Sequence, residues 1–304
     1  MRQTDGHPPG EIAGVATIVA TVFAMALADA IVKYASSGMT LWQIWVLRAL
    51  IVVPVFAALG RDRVRMAAPG WVLIRSLALV LMYLGIYAAI PLLTLSVIAA
   101  SLYTSPLFIT LLSAVCLREP IRPRQWLAIA VGFAGVVLIV RPAAEGFRPL
   151  ALIPISAAFL YAVAAVVTRA KCTRVSARTL ALWLNLTLLT CGGLASLLAL
   201  FAPPALATAY PFLFATWRPM AGTDLSVIAS LSVLMIGIGV GLARAYQSPR
   251  PQVIATFDYS FLIFAAFWGY VFFGEVPDAW TILGMVLISG AGALVLSAGA
   301  EVDH

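Results

Sequence analysis

The sequence predicts an all-α polytopic membrane protein with ten transmembrane helices, built as two inverted five-helix repeats. Three observations carry this expectation. Of 304 residues, 63% are hydrophobic and only 10% charged, with a mean hydropathy of +1.04, whereas a soluble domain carries roughly 25% charged residues. The apolar residues gather into runs long enough to cross a hydrocarbon core of about 30 Å at about 1.5 Å per residue. A pattern in the first half also returns about 155 positions later. Thr104-Ser105-Pro106 and the turn Arg118-Glu119-Pro120 find counterparts in Phe257-Asp258-Tyr259-Ser260 and Gly274-Glu275-Val276-Pro277. Ser105 matches Ser260, Glu119 falls opposite Glu275, and Gly135 falls opposite Gly290. Such spacing marks a duplication.

The spans fall at residues 12–34, 41–59, 70–90, 93–117, 124–141, 150–168, 179–201, 224–245, 252–273 and 279–298. The first resembles a signal peptide at Ala26-Leu27-Ala28. The region before it is not basic, since Arg2 is set against Asp5 and Glu11, so the expectation is a retained helix. Span 4 contains Pro106, which cannot donate a backbone hydrogen bond and clashes with the preceding turn. Backbone groups freed in hydrocarbon need protein or a watery cavity to satisfy them, so span 4 is expected to kink toward the interior near Thr104 and Ser105. Pro54 and Pro154, in spans 2 and 6, have no polar run beside them. Gly132, Gly135, Gly284 and Gly290 suit close helix approach in spans 5 and 10, as do Gly237 and Gly241 in span 8. Gly237-Ile-Gly-Val-Gly241 follows no strand and is not a phosphate loop. Trp42, Trp45, Trp71, Trp126 and Trp280 stand at span ends, where an interfacial belt is expected.

Basic residues set the orientation. Connections after spans 2, 4, 6 and 8 carry Arg61, Arg63, Arg65, Arg118, Arg122, Arg124, Arg169, Lys171, Arg174, Arg178, Arg244 and Arg250. Opposite connections hold Arg141, Arg148 and Arg218. Both termini are therefore expected in the cytoplasm, with tails at residues 1–11 and 299–304 and repeats at 12–142 and 149–298. Five spans per half is an odd number, so the second repeat lies inverted. The longest connection, residues 202–223, holds Tyr210 and Trp217 and suits an aromatic-anchored outer loop.

At these residues the chain resembles the drug/metabolite transporter superfamily in its two-repeat EamA form. The marks are Lys33, Arg48, Tyr87-Ala88-Ala89-Ile90-Pro91-Leu92, Thr104-Ser105-Pro106-Leu107, Arg118-Glu119 and Phe273-Gly274-Glu275. Within the superfamily it looks most like the aromatic amino-acid exporters of the YddG type. The resemblance implies ten helices around a central cavity in a bacterial inner membrane, alternating access between the halves, and export of aromatic and other neutral amino acids. Riboflavin, purines, nucleosides and drugs are the alternative substrates, in either direction.

The candidate residues follow from the cost of polar groups at membrane depth. Asp29 and Lys33 are four apart on one helix face and suit a structural pair or an outer gate. Arg48 reads as an internal counter-charge, with a substrate carboxylate as the other possibility. Asp258, beside Thr256 and Tyr259, suits a substrate ammonium or a coupling proton; capping a bent helix, or pairing with Arg48 or Arg75, is the structural alternative. Tyr83, Tyr87, Tyr103, Tyr259 and Trp183, with Ser105 and Pro106, offer rings and hydroxyls for a broad range of neutral or aromatic substrates, or simply pack.

Other classes fit poorly. The net charge of +7 sits in short loops suited to lipid headgroups rather than nucleic acid. His7 and His304 lie in the tails, and Cys116, Cys172 and Cys191 have no metal spacing, so neither metal nor cofactor is expected. An intramembrane enzyme lacks a nucleophile with its base, or a carboxylate dyad. The partners expected are a small-molecule substrate and the bilayer, around a monomer, with a dimer as the alternative.

Overall fold

The computed structural model describes residues 9–58, 69–118, 123–140, 149–246, 254 and 257–300. Every regular element among them is helical. They are α1 (Pro9–Ala35), α2 (Leu41–Ala58), α3 (Pro69–Ala89), α4 (Leu95–Leu102), α5 (Ser105–Leu117), α6 (Pro123–Val140), a 3₁₀ turn (Pro149–Ala151), α7 (Leu152–Lys171), α8 (Ala177–Ala199), α9 (Pro204–Ala209), α10 (Pro211–Phe214), α11 (Gly222–Tyr246), α12 (Ser260–Phe273) and α13 (Ala279–Ala300). Eight segments among the described residues are long and apolar enough to cross a membrane, with Leu95–Leu117 counted as one. Two shorter apolar helical stretches follow, Ser260–Phe273 and Ala279–Leu294. The turn arginines 61, 63 and 65, with Glu119, Arg122, Arg141, Arg148, Arg250 and Thr256, lie outside the described residues, as do His7 and His304.

The expected break in span 4 is present. α4 ends at Leu102 and α5 starts at Ser105, with Pro106 in its first turn. Proline has no N–H to give to the turn before, and it tolerates the first helical turn, where that N–H has no partner anyway. The Thr104 hydroxyl donates to Ser101 O at 2.6 Å, satisfying a carbonyl beside the break. A second break comes where the sequence pattern repeats: residues 257–258 are helical, Tyr259 is a turn, and α12 begins at Ser260. Ser105 and Ser260, matched in the sequence, each open a helix after a break.

The packing has a regular plan. Counting α4 with α5 as one span, the main pairs are span 1 with spans 8 and 9, span 6 with spans 3 and 4, span 2 with spans 7 and 8, span 7 with span 3, span 4 with span 9, and span 5 with span 10. Exchanging each span n with n+5 leaves this set unchanged. The closest approach joins α6 and α13. A Cβ on Gly284 would stand 2.8 Å from Gly135 O and 2.5 Å from Ile139 Cγ1, so the two backbones touch where both residues lack a side chain. Gly241 admits Thr21 and Gly132 admits Leu107, but Gly237 and Gly290 meet nothing within 4 Å. Among the described residues those two glycines therefore do not mediate close helix contact.

One further departure concerns the span ends. Trp45, expected in the interfacial belt, is fully buried, because its face of α2 turns inward onto Tyr87 of α3, with Trp42 of the same helix edge-on to its ring. Trp71, Trp126 and Trp280 are exposed on the bundle surface, as belt residues would be. The 202–221 connection is tied to the start of α2. Trp42 donates to Leu213 O at 2.6 Å, Gln43 exchanges hydrogen bonds with the Arg218 backbone, and Arg218 donates to Ser37 O.

Candidate functional site

The two helix breaks meet. The Tyr103 hydroxyl, at the end of α4, donates to Asp258 O at 2.9 Å. Its ring lies 5.0 Å from that of Tyr259 and stacks on Phe261 at 5.4 Å. A helix interrupted inside a bilayer exposes carbonyls that demand donors, and here a residue from one break supplies a donor to the other. Tyr103, Asp258 and Tyr259 from the sequence-predicted set therefore come together; Ser105, two residues after Tyr103, is buried in the first turn of α5 with Pro106 next to it. Tyr259 presses its hydroxyl against Gly292, where any Cβ would overlap it, and that buried hydroxyl has no hydrogen-bond partner among the described residues. The buried Ser260 hydroxyl and Trp268 indole N–H are likewise unpartnered.

Phe261 also lines a narrow cavity between the halves. Its walls are Ala26 and Asp29 of α1, Ile86 of α3, Leu95, Ile98, Ala99 and Leu102 of α4, and Ala265 of α12, with Ile90 just after α3. The cavity volume is about 10 Å³, room for roughly one water molecule. Asp29 is the one ionisable side chain in this lining. A carboxylate in an apolar chamber is costly unless a cation or a hydrogen-bonding ligand compensates it.

Deeper in the first half, Tyr83 and Tyr87 stack at 5.8 Å on α3, as their one-turn spacing requires. Tyr87 also meets Trp45 edge-on at 6.4 Å and interacts with the Arg48 side chain. Arg48 is 1% exposed, and its Nε and Nη2 have no hydrogen-bond partner among the described residues. Asp29 lies within its electrostatic reach, but among the described residues no ion pair joins the two. Arg75, the other arginine considered, is taken up by Thr168 Oγ1 and Leu180 O. Trp183 stands apart: it packs on a separate cluster of Val72, Cys172, Val175 and Leu180, near the turn between α7 and α8.

Lys33 does not pair with Asp29. Its ammonium reaches Glu275 across the bundle and donates to Leu93 O at 2.6 Å. Helical spacing allowed the local partner, but the lysine instead takes a carboxylate and a carbonyl brought in by tertiary packing. Glu275 was legible only as a repeat marker, in Phe273-Gly274-Glu275. Phe261 and Trp45 were likewise missed, since nothing in their local sequence separates a wall of the seam from ordinary core. Among the described residues no group of three or more His, Cys, Asp or Glu could hold a metal.

Residues 12–141 match the EamA-like transporter family. The chain is 27% identical to a riboflavin transporter of Vibrio cholerae, over 93% of this chain and 91% of that protein. It is 28% identical to the pseudopaline exporter CntI of Pseudomonas aeruginosa, over 90% of this chain and 93% of that protein. One solved crystal structure shares the fold at a TM-score of 0.63 and 19% identity, covering 97% of this chain and 99% of its own. The described residues thus hold helices of membrane-crossing length, residues 12–141 match the EamA-like transporter family, and the chain is similar over nearly its whole length to proteins named transporters, which together make it a multi-pass membrane protein of transporter likeness.

Proposed function

We propose that the protein is an alternating-access carrier of the bacterial inner membrane, moving a flat, ring-bearing metabolite through the seam between two inverted repeats, residues 12–142 and 149–298. The observation that carries this is the meeting of the two helix breaks, where Tyr103 bonds Asp258 O and its ring lies on Tyr259 and Phe261. Discontinuous helices at a repeat interface offer unpaired backbone groups and side-chain hydroxyls to a substrate at mid-depth. Stacked rings with a few polar groups suit a planar solute. The set of helix pairs that survives exchange of n with n+5 supports the inverted repeat. The cavity of about 10 Å³ is far too small for any metabolite, so substrate enters only when the halves move apart. Such rocking needs one chain only, and the working unit is a monomer with both termini in the cytoplasm.

Riboflavin is the first substrate to try, since a relative similar over nearly its whole length is named a riboflavin transporter. Export of aromatic and neutral amino acids, the substrate class of the YddG-type exporters, is the second reading. Asp29 in the seam cavity favours it, because a carboxylate there suits an ammonium group.

Purified protein in liposomes, assayed for counterflow, separates these readings. Saturable counterflow of riboflavin and of none of the twenty amino acids supports the first, and exchange of aromatic amino acids without riboflavin supports the second. Linear, unsaturated flux without counterflow means a channel and overturns both.

A further inference from the structure

We infer that Lys33 and Glu275 form the latch of one mouth of this carrier, holding the seam cavity shut until the pair is broken in each cycle. The inference rests on the carrier reading and adds to it the residues that hold the mouth closed.

The latch ties three segments together. Lys33 sits near the end of α1, and Glu275 in the turn between α12 and α13. Between them runs the strap that leads into α4: Lys33 donates to Leu93 O, and Glu275 Oε2 accepts from Leu95 N at 2.9 Å. The ammonium also lies 5.1 Å from the centre of the Phe273 ring. First half and second half are thus joined through both ends of one ion pair.

Glu275 is held in place by its own helix end. Gly274 takes a left-handed conformation with φ 65°, and Glu275 N donates back to Gly269 O at 3.1 Å. That geometry turns the chain sharply after α12. A Cβ on Gly269 would stand 2.9 Å from Glu275 Oε2, so the glycine leaves room for the carboxylate.

The latch touches the cavity directly. Leu95 lines the chamber, and its backbone N–H serves Glu275. Asp29, also in the lining, is one turn back along α1 from Lys33. Each partner's side chain is only 13% exposed. Charges this far from solvent are stable as a pair and costly alone, so the closed arrangement is favoured until something compensates one of them. Parting α1 from the α12–α13 turn breaks the ion pair and frees the Leu93–Leu95 strap in one movement.

The test needs no substrate. In a background with Cys116, Cys172 and Cys191 changed to serine, Ala99→Cys puts a reporter in the cavity wall, at a site 2% exposed. Ala128→Cys provides a fully buried control on α6, outside that wall. Each is reacted with a fluorescent maleimide in detergent, with and without Glu275→Gln, and separately with Lys33→Met. Glu275→Gln keeps an acceptor for Leu95 N–H and loses the charge. The expected result is a rise of roughly ten-fold or more in labelling at position 99, as the open form gains the population released by losing one charge-assisted bond. Labelling at position 128 stays unchanged. An unchanged rate at position 99, or an equal rise at both positions, overturns the latch. Neither outcome touches the carrier reading, which stands or falls on counterflow by the unsubstituted protein.

Discussion

Replacing Gly284 and Gly290 by alanine, one at a time, measures whether α6 and α13 pack as described. The two glycines lie six positions apart on one apolar helix, so local sequence gives little reason for different outcomes. Their surroundings differ sharply. A Cβ at position 284 would come within 2.8 Å of Gly135 O and 2.5 Å of Ile139 Cγ1. Ile139 can rotate away, but the carbonyl belongs to a helix backbone and moves only if the helices separate by several tenths of an ångström. Such overpacking typically costs about 1–3 kcal/mol. A Cβ at position 290 meets nothing within 4 Å, and alanine is favoured over glycine in a helix by up to about 1 kcal/mol. The expected outcome is a lower melting temperature for Gly284→Ala by several degrees, at roughly 2–4 °C per kcal/mol for a chain of this general size. Gly290→Ala should be unchanged or slightly raised. Thermal unfolding of the purified protein in detergent, followed by size-exclusion fluorescence, reads both. Equal shifts for the two variants, or a more stable Gly284→Ala, would refute the close backbone contact.

Tyr103→Phe keeps the ring on Phe261 and removes the donor to Asp258 O; the expected loss is about 0.5–1.5 kcal/mol of stability, with slower counterflow in liposomes. Asp258→Asn should leave the protein folded by size exclusion and slow transport, and unchanged flux would remove that carboxylate from the mechanism. Arg48→Met deprives Asp29 of the cation acting on it. Melting should therefore fall by less than the roughly 3 kcal/mol that breaking a paired buried charge costs, since no ion pair joins the two among the described residues. Adding Asp29→Asn to Arg48→Met should recover most of that loss.

Composition and the length of the apolar runs were enough to announce a helical membrane protein, because hydrocarbon leaves the backbone little choice but helix. Pro106 announced a break for an equally local reason, since it lacks the N–H a continuous helix needs. The seam itself was only half legible. Tyr103, Asp258 and Tyr259 stood out as polar groups at membrane depth, and they meet. Trp183 stood out on the same grounds and packs elsewhere, because depth along a helix does not fix which face turns inward. Lys33 shows the limit most plainly. Its sequence neighbour Asp29 is one helical turn away, yet its ammonium goes to Glu275, 242 positions on. An ion pair forms where tertiary packing delivers a partner, and that delivery depends on how α1, the Leu93–Leu95 strap and the α12–α13 turn are stacked. The residues alone determined the solvent, the helices and the sites of strain; the stacking decided which of those residues touch, because contact distances are set between elements and not along the chain.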